Sequence, residues 1–232
     1  LAEPARPGCH RRHDLLDPEP GAWAAALAAR PDLAGVPRVA DWARGGWPVI
    51  LRRWNPGEAR DGIPVGLPLP PADGKRRIGL TLPAEAVRPR PPVTVAQALD
   101  AAPPAWHPTL TALDALGRRH DRAPLLFGSL LWQHLTGLAY LSGRSDLDLL
   151  WPVAPPIDPR FLDALAALDA DAPMRLDGEI LLPDGRGVNW RELHAAAPDD
   201  DVLAKHRDGL VLCAARDLFT GRCAGEATGE AA

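Results

Sequence analysis

The sequence predicts an α+β protein in two parts: a small β-rich N-terminal unit over residues 1–93 and an α/β unit over residues 94–232. Three observations carry this reading. Three β-like runs separated by Pro- and Gly-rich turns crowd into residues 47–82. From residue 94 onward, segments of helical period alternate with segments of strand character. Between them the stretch RPRPP, Arg88 to Pro92, can continue neither a helix nor a central strand. The charge also changes sign there: residues 1–93 carry 14 basic and 10 acidic side chains, and the remainder carries 12 and 20.

Taken in order, AWAAALAAR between Gly21 and Arg30 consists of helix formers bounded by Pro-Gly and by Pro31, which predicts a short helix. A second helix is expected from Arg38 to Arg44. The runs WPVILRR (Trp47 to Arg53), IPVGLPL (Ile63 to Leu69) and RRIGLTL (Arg76 to Leu82) read as strands. Past the boundary, helical patterns cover Thr94 to Ala101 and Thr109 to Arg119, the latter with Leu110, Leu113 and Leu116 on one face. PLLFGS (Pro124 to Ser129) reads as a buried strand entering a Gly-Ser turn, with a helix after it. Next come a strand from Ser145 to Trp151, a helix from Asp158 to Leu168 and a strand from Met174 to Leu182. Pro183-Asp184-Gly185 predicts a hairpin turn. The acids Asp199, Asp200 and Asp201 are expected to cap and solvate a helix start, and the tail after Thr220 is expected to be weakly ordered.

Composition narrows the function. A net charge of −4 argues against a general electrostatic grip on nucleic acid or membrane. Three scattered cysteines form neither a CxxC pair nor a disulfide framework, which suits a reducing cytoplasm. Leu1 to Arg12 lacks the apolar run of a signal peptide, and no stretch has the length of a membrane span.

The chemistry concentrates in the α/β unit. In a strand over Ser145 to Trp151, Asp146 and Asp148 share one face and the large apolar side chains take the other. Two carboxylates about 7 Å apart in an apolar strand need a compensating partner, and a divalent cation supplies it. Mg²⁺ takes oxygens from one or two carboxylates together with those of a phosphate-bearing substrate. Gly128-Ser129 lies at a strand-to-helix turn, where free N–H groups can hold a terminal phosphate. Arg175, Asp177 and Glu179 alternate onto one face of the later strand and offer a third carboxylate. Arg52-Arg53 and Lys75-Arg76-Arg77 are candidates for phosphate contacts, because guanidinium forks fit phosphate bidentately. Arg12-His13-Asp14 reads more readily as structural. The histidines from His107 onward show no metal-ligand spacing.

The order Gly-Ser, then Asp-x-Asp on the next strand, then Arg-x-Asp on a distant strand resembles the nucleotidyltransferases of the DNA polymerase beta type. The insertion TGLAYLSGR (Thr136 to Arg144) makes the segment between the first two motifs longer than in minimal members. A wider resemblance covers RHDLL (12–16), GWPVILRR (46–53), VGLPLP with GKRRIGL (65–80), GSLLWQHLTGLAYL with SDLDLL (128–150) and RLDGEILLPDGRGVNWREL (175–193). These segments look like the phosphoribosyl-dephospho-CoA transferase of malonate decarboxylase, also called its holo-acyl-carrier-protein synthase. That resemblance implies transfer of the phosphoribosyl-dephospho-CoA group from triphosphoribosyl-dephospho-CoA to a serine of the decarboxylase's acyl carrier protein, releasing diphosphate. It implies Asp146, Asp148 and Asp177 as the acids that bind two Mg²⁺ ions and carry catalysis. Gly128, Ser129, Arg52, Arg53, Arg76, Arg77 and Glu179 are then expected to contact substrate. The alternatives are nucleotidyl or adenylyl transfer to another protein or a small molecule, and a binding module that has lost its chemistry. The intact acid set argues against the last.

Overall fold

The computed structural model describes residues 11–222, so the tail beyond residue 222 lies outside the described residues. Two sheets form. The first unit contributes β1 (Leu15–Pro18), α1 (Pro20–Ala28), β2 (Val49–Leu51), β3 (Ile63–Pro68), β4 (Arg77–Leu82) and β5 (Val87–Arg90). Its five strands are antiparallel in the order β4-β3-β2-β1-β5. The proline-rich stretch thus begins in a strand, but at the sheet edge, where Pro89 removes no ladder donor that a neighbour needs. Helix α1 starts where its sequence dictates: Pro20 fits the first turn, and the Glu19 carboxylate accepts from the backbone N–H of Gly21 and Ala22.

The helix expected over Arg38 to Arg44 does not form. Arg38 adopts φ 66°, and the bonds from Asp41 N–H to the Arg38 carbonyl and from Trp42 N–H to the Val39 carbonyl are i→i−3 turns. Pro37 before the segment and Gly45-Gly46 after it leave no room for a nucleated α-helix. What holds the segment is burial of Trp42, whose indole N–H reaches the Pro48 carbonyl at 2.8 Å.

The second unit runs through α2 (His107–Arg119), β6 (Leu125–Leu126), α3 (Gly128–Thr136), β7 (Leu147–Pro152), α4 (Pro159–Asp171), β8 (Leu176–Leu181), β9 (Gly187–Asn189), α5 (Trp190–Ala195), β10 (Asp201–Lys205), β11 (Leu210–Ala214) and α6 (Ala215–Thr220). Residues 96–101 form a 3₁₀ segment in place of the expected α-helix. The sheet order is β11-β10-β9-β8-β7-β6, and only β7 and β8 run parallel, with α4 as their crossover. Asp158 caps α4 by accepting from Arg160 N–H, and Pro159 occupies its first position. Leu110, Leu113 and Leu116 of α2 are buried as their spacing requires. The acids at 199–201 do not precede a helix: Asp201 opens β10, Asp200 accepts the Ala197 N–H, and Asp199 pairs with Arg216.

The two units pack as one body. Trp132 of α3 is buried in the apolar cluster of the first sheet, 5.9 Å from the Trp42 ring, and Leu15 of β1 is buried in the cluster of the second. The inserted segment after α3 reinforces the join, because the Tyr140 hydroxyl donates to the Pro68 carbonyl of β3 at 3.0 Å. A cleft forms along this seam. Among the described residues no helix is long and apolar enough to cross a membrane.

Candidate active site

The register of the parallel pair assembles the acids. Asp148 of β7 lies beside Asp177 of β8, and Asp146 immediately precedes β7. Burial, then Asp177, then Asp146 push the Asp148 carboxyl up to about 7, so the three carboxylates share one field, and Asp148 bears the cost. The Ser129 N–H and the Arg77 charge act in the opposite direction and do not restore it. Asp177 is fixed by two bonds, from Gly178 N–H at 2.9 Å and from Asn189 Nδ2 at 3.2 Å. Asn189 also caps α5, accepting from Arg191 and Glu192 N–H, so one amide locks both a helix start and an acid. In the sequence Asn189 signals only a helix cap.

Gly128 and Ser129 begin α3 directly against Asp148. Gly128 sits at φ 69°, and a Cβ there would run into the Asp148 carboxylate, so both conformation and space demand glycine. Behind the acids, Gly178 lets β8 approach the Leu149 backbone.

Glu179 does something else. It is 5% exposed, paired with Arg12 and with Lys205 Nζ at 3.3 Å, and it stands 3.7 Å from His13 Nε2. Burial works against its ionisation, but His13, Arg12 and Lys205 outweigh burial and hold the carboxyl at about 2. This carboxylate therefore ties the start of the first unit to β8 and β10. His13, lowered by its own burial, packs its ring 4.7 Å from Phe127, beside Gly128.

A cavity of about 650 Å³ opens above this floor and is lined from both units. Gly128, Ser129 and Asp148 line one side, and Arg52, Arg53, Lys75 and Arg77 line the other. Asp146 and Asp177 flank Asp148 without lining the cavity. Strand alternation splits the basic pairs: Arg77 faces the cleft and the Asp148 charge, whereas Arg76 lies outside the cleft lining, within reach of Asp32. Arg52 is held by Glu58, while Arg53 and Lys75 have no side-chain partner among the described residues. Arg12 and His13 also line the cleft. The separation, 167 residues between Arg12 and Glu179, hides that role from the sequence.

Two family models cover the chain: the phosphoribosyl-dephospho-CoA transferase MdcG N-terminal domain matches residues 11–92, and the corresponding C-terminal domain matches residues 94–216. The chain belongs to the phosphoribosyl-dephospho-CoA transferase family. A phosphoribosyl-dephospho-CoA transferase of Bradyrhizobium diazoefficiens is 45% identical over 213 residues, 90% of this chain and 92% of the relative. One of Xanthomonas euvesicatoria pv. vesicatoria is 39% identical, and one of Xanthomonas campestris pv. campestris 37%, each over 81% of this chain and 88% of the relative. No solved structure matches the chain. Membership in this transferase family gives the acidic floor and the basic wall a substrate class to face.

Proposed function

We propose that the protein moves the phosphoribosyl-dephospho-CoA group from its triphosphate precursor onto a serine hydroxyl of the malonate decarboxylase acyl carrier protein, releasing diphosphate. The observation that carries this reading is the pairing of Asp148 with Asp177 across β7 and β8, at the N-terminus of α3 and opposite an arginine wall. Relatives named phosphoribosyl-dephospho-CoA transferase support the identity of the transferred group.

The donor set fits Mg²⁺. Its atoms are hard carboxylate oxygens, Asp148 is left electrostatically uncompensated, and Gly128 leaves open the space against it. Among the described residues no three metal-binding side chains close into a cage. An ion held here would therefore take the rest of its shell from phosphate oxygens and water. When bound there, two Mg²⁺ ions would neutralise the departing diphosphate and increase the nucleophilicity of the serine oxygen. Asp148 and Asp177 would hold the ions beside the reacting phosphate, and Asp146 adds negative charge next to them. The first turn of α3 offers N–H groups to the triphosphate tail, while Arg53, Lys75 and Arg77 offset the donor's charge from the opposite wall. Asp177, held by Asn189, is the acid this reading assigns to the attacking hydroxyl.

Incubating the protein with apo carrier, donor and Mg²⁺ and weighing the carrier tests this directly. A mass gain of one phosphoribosyl-dephospho-CoA unit on a serine, with stoichiometric diphosphate, is expected. An unmodified carrier, beside nucleotidylation of another acceptor with ATP, would overturn the choice of substrate.

A further inference from the structure

Arg52 lines the cleft but has no N–H left to give. A guanidinium owns five donors. Here Nε donates to the Val65 carbonyl at 3.2 Å, and Nη1 to the Arg53 carbonyl at 3.0 Å and to Glu58 Oε2 at 2.7 Å. Nη2 donates to the Leu80 carbonyl at 3.3 Å and to Glu58 Oε1. Glu58 is itself locked, accepting from Asn55 N–H at 2.9 Å and from the Thr81 hydroxyl at 3.2 Å, and its carboxyl is held at about 2, chiefly by Arg52. Every in-plane edge of the guanidinium is thus consumed, and bidentate capture of a phosphate is closed to it.

Its faces remain. One lies on the sheet over the cross-strand glycine pair Gly66 and Gly79. A Cβ at Gly79 would stand 2.9 Å from Nε, 3.4 Å from Cζ and 3.5 Å from Nη2, and a Cβ at Gly66 would stand 3.7 Å from Cδ. Neither glycine has a positive φ, so the demand is for space and not for conformation. The opposite face belongs to the cavity, beside Ile50, which completes the row Ile50–Gly66–Gly79 across β2, β3 and β4.

A flat cation immobilised against a sheet is a platform for an aromatic ring, because guanidinium planes stack on π faces. We infer that Arg52, clamped by Glu58 over Gly66 and Gly79, is the stacking floor of a purine subsite that takes the adenine of the donor. The donor has one aromatic ring system, and the phosphate contacts fall to Arg53, Lys75 and Arg77. Gly79 lies two residues along β4 from Arg77, about 7 Å, a span that ribose units cover between the base and the phosphates near Asp148. The inference rests on the donor reading above and adds to it which wall holds the base.

The test is a comparison of ADP with ribose 5-diphosphate, which differ only in the base, by titration calorimetry. The unaltered protein should bind ADP about tenfold more tightly, the scale of one stacked base. Arg52→Lys keeps the charge but loses the plane, so the ratio should fall to near one while ribose 5-diphosphate binds as before. Gly79→Ala should have the same effect by lifting the guanidinium off the sheet, which keeps the test usable if Arg52→Lys fails to fold. Equal affinities for the two ligands in the unaltered protein, or variants that weaken both ligands alike, would overturn the subsite. Carrier labelling separates the two claims: labelling without an ADP preference removes the subsite alone, and an ADP preference without labelling removes the donor reading alone.

Discussion

Asp148→Asn should abolish transfer and at the same time make the folded protein more stable at alkaline pH. The swap keeps volume and an oxygen that can accept from Ser129 N–H, but it deletes the charge that burial, Asp177 and Asp146 disfavour. In the fold the Asp148 carboxyl stands at about 7 against an ordinary aspartate value of 3.8. At about 1.4 kcal/mol per unit, that gap costs at most about 4 kcal/mol once the group is fully ionised. The sign follows from proton counting. Between pH 4 and pH 7 the folded state holds a proton that the unfolded chain has lost, so stability falls as pH rises and the full cost is present above about 7. Urea unfolding of both proteins between pH 5 and pH 8.5 without divalent cation should show the variant's advantage growing by about 2–3 kcal/mol. Adding Mg²⁺ at pH 8 should stabilise the unaltered protein more than the variant, because only the former regains a counter-charge. A variant advantage that stays flat across this range, or a less stable variant at pH 8, would refute the account of a carboxylate held under electrostatic load.

Other perturbations separate the roles of neighbouring groups. Gly128→Ala should lose transfer and about 2 kcal/mol or more of stability, since it combines a left-handed φ with a collision against Asp148; melting temperature and carrier labelling check both. Arg53→Glu and Arg77→Glu should each raise the donor dissociation constant at least tenfold, while Arg76→Glu, outside the cleft, should leave it within twofold in the same titration. Asp177→Asn should cut kcat severely with little change in donor affinity. Glu179→Gln should instead destabilise the fold by about 3 kcal/mol, because Arg12 and Lys205 lose their counter-ion. Since the Glu179 carboxyl is held at about 2 against an ordinary glutamate value of 4.5, its contribution is intact above pH 4.5 and is lost as pH falls toward 2, so the variant should show a shallower acid-unfolding slope over that interval.

Much of the fold was legible because its signals are local. Strand period, Pro-Gly turns and leucine spacing mark β3, β4, α2 and β8 within a residue or two. The acids were legible for the same reason: Asp148 and Asp177 stand on strands whose apolar neighbours must face inward. Strands β1 and β5 were not, because each has four residues and is specified by its partner across the sheet. The fate of Arg52 was hidden for a related reason. Arg52 and Arg53 are adjacent and chemically identical, and only the turn that folds Glu58 back decides which guanidinium is consumed. Glu179 and Asp177 likewise share a strand and a charge, yet residues more than twenty positions away decide that one is neutralised.

That selective neutralisation is how charge becomes function in this chain. Arg12 has Glu179, and Arg52 has Glu58; these pairs are spent on structure and join the strands that make the walls. Asp148 has no such partner, and Arg53 and Lys75 have none among the described side chains, although all three line the same cavity. A basic first unit and an acidic second unit brought together at a seam could have cancelled charge for charge, with a gain in stability. Arg12 with Glu179 and Arg60 with Asp208 do so, whereas over the cleft Asp148 and the basic residues stay apart across a void of about 650 Å³. Under the proposed function the separated charges suit an oligophosphate with its cations: anionic oxygens would meet the basic wall, and the ions the acidic floor. On the proposed function, the stability forgone at Asp148 would be recovered when substrate and ions bind, which would couple closure of the electrostatic ledger to occupation of the site.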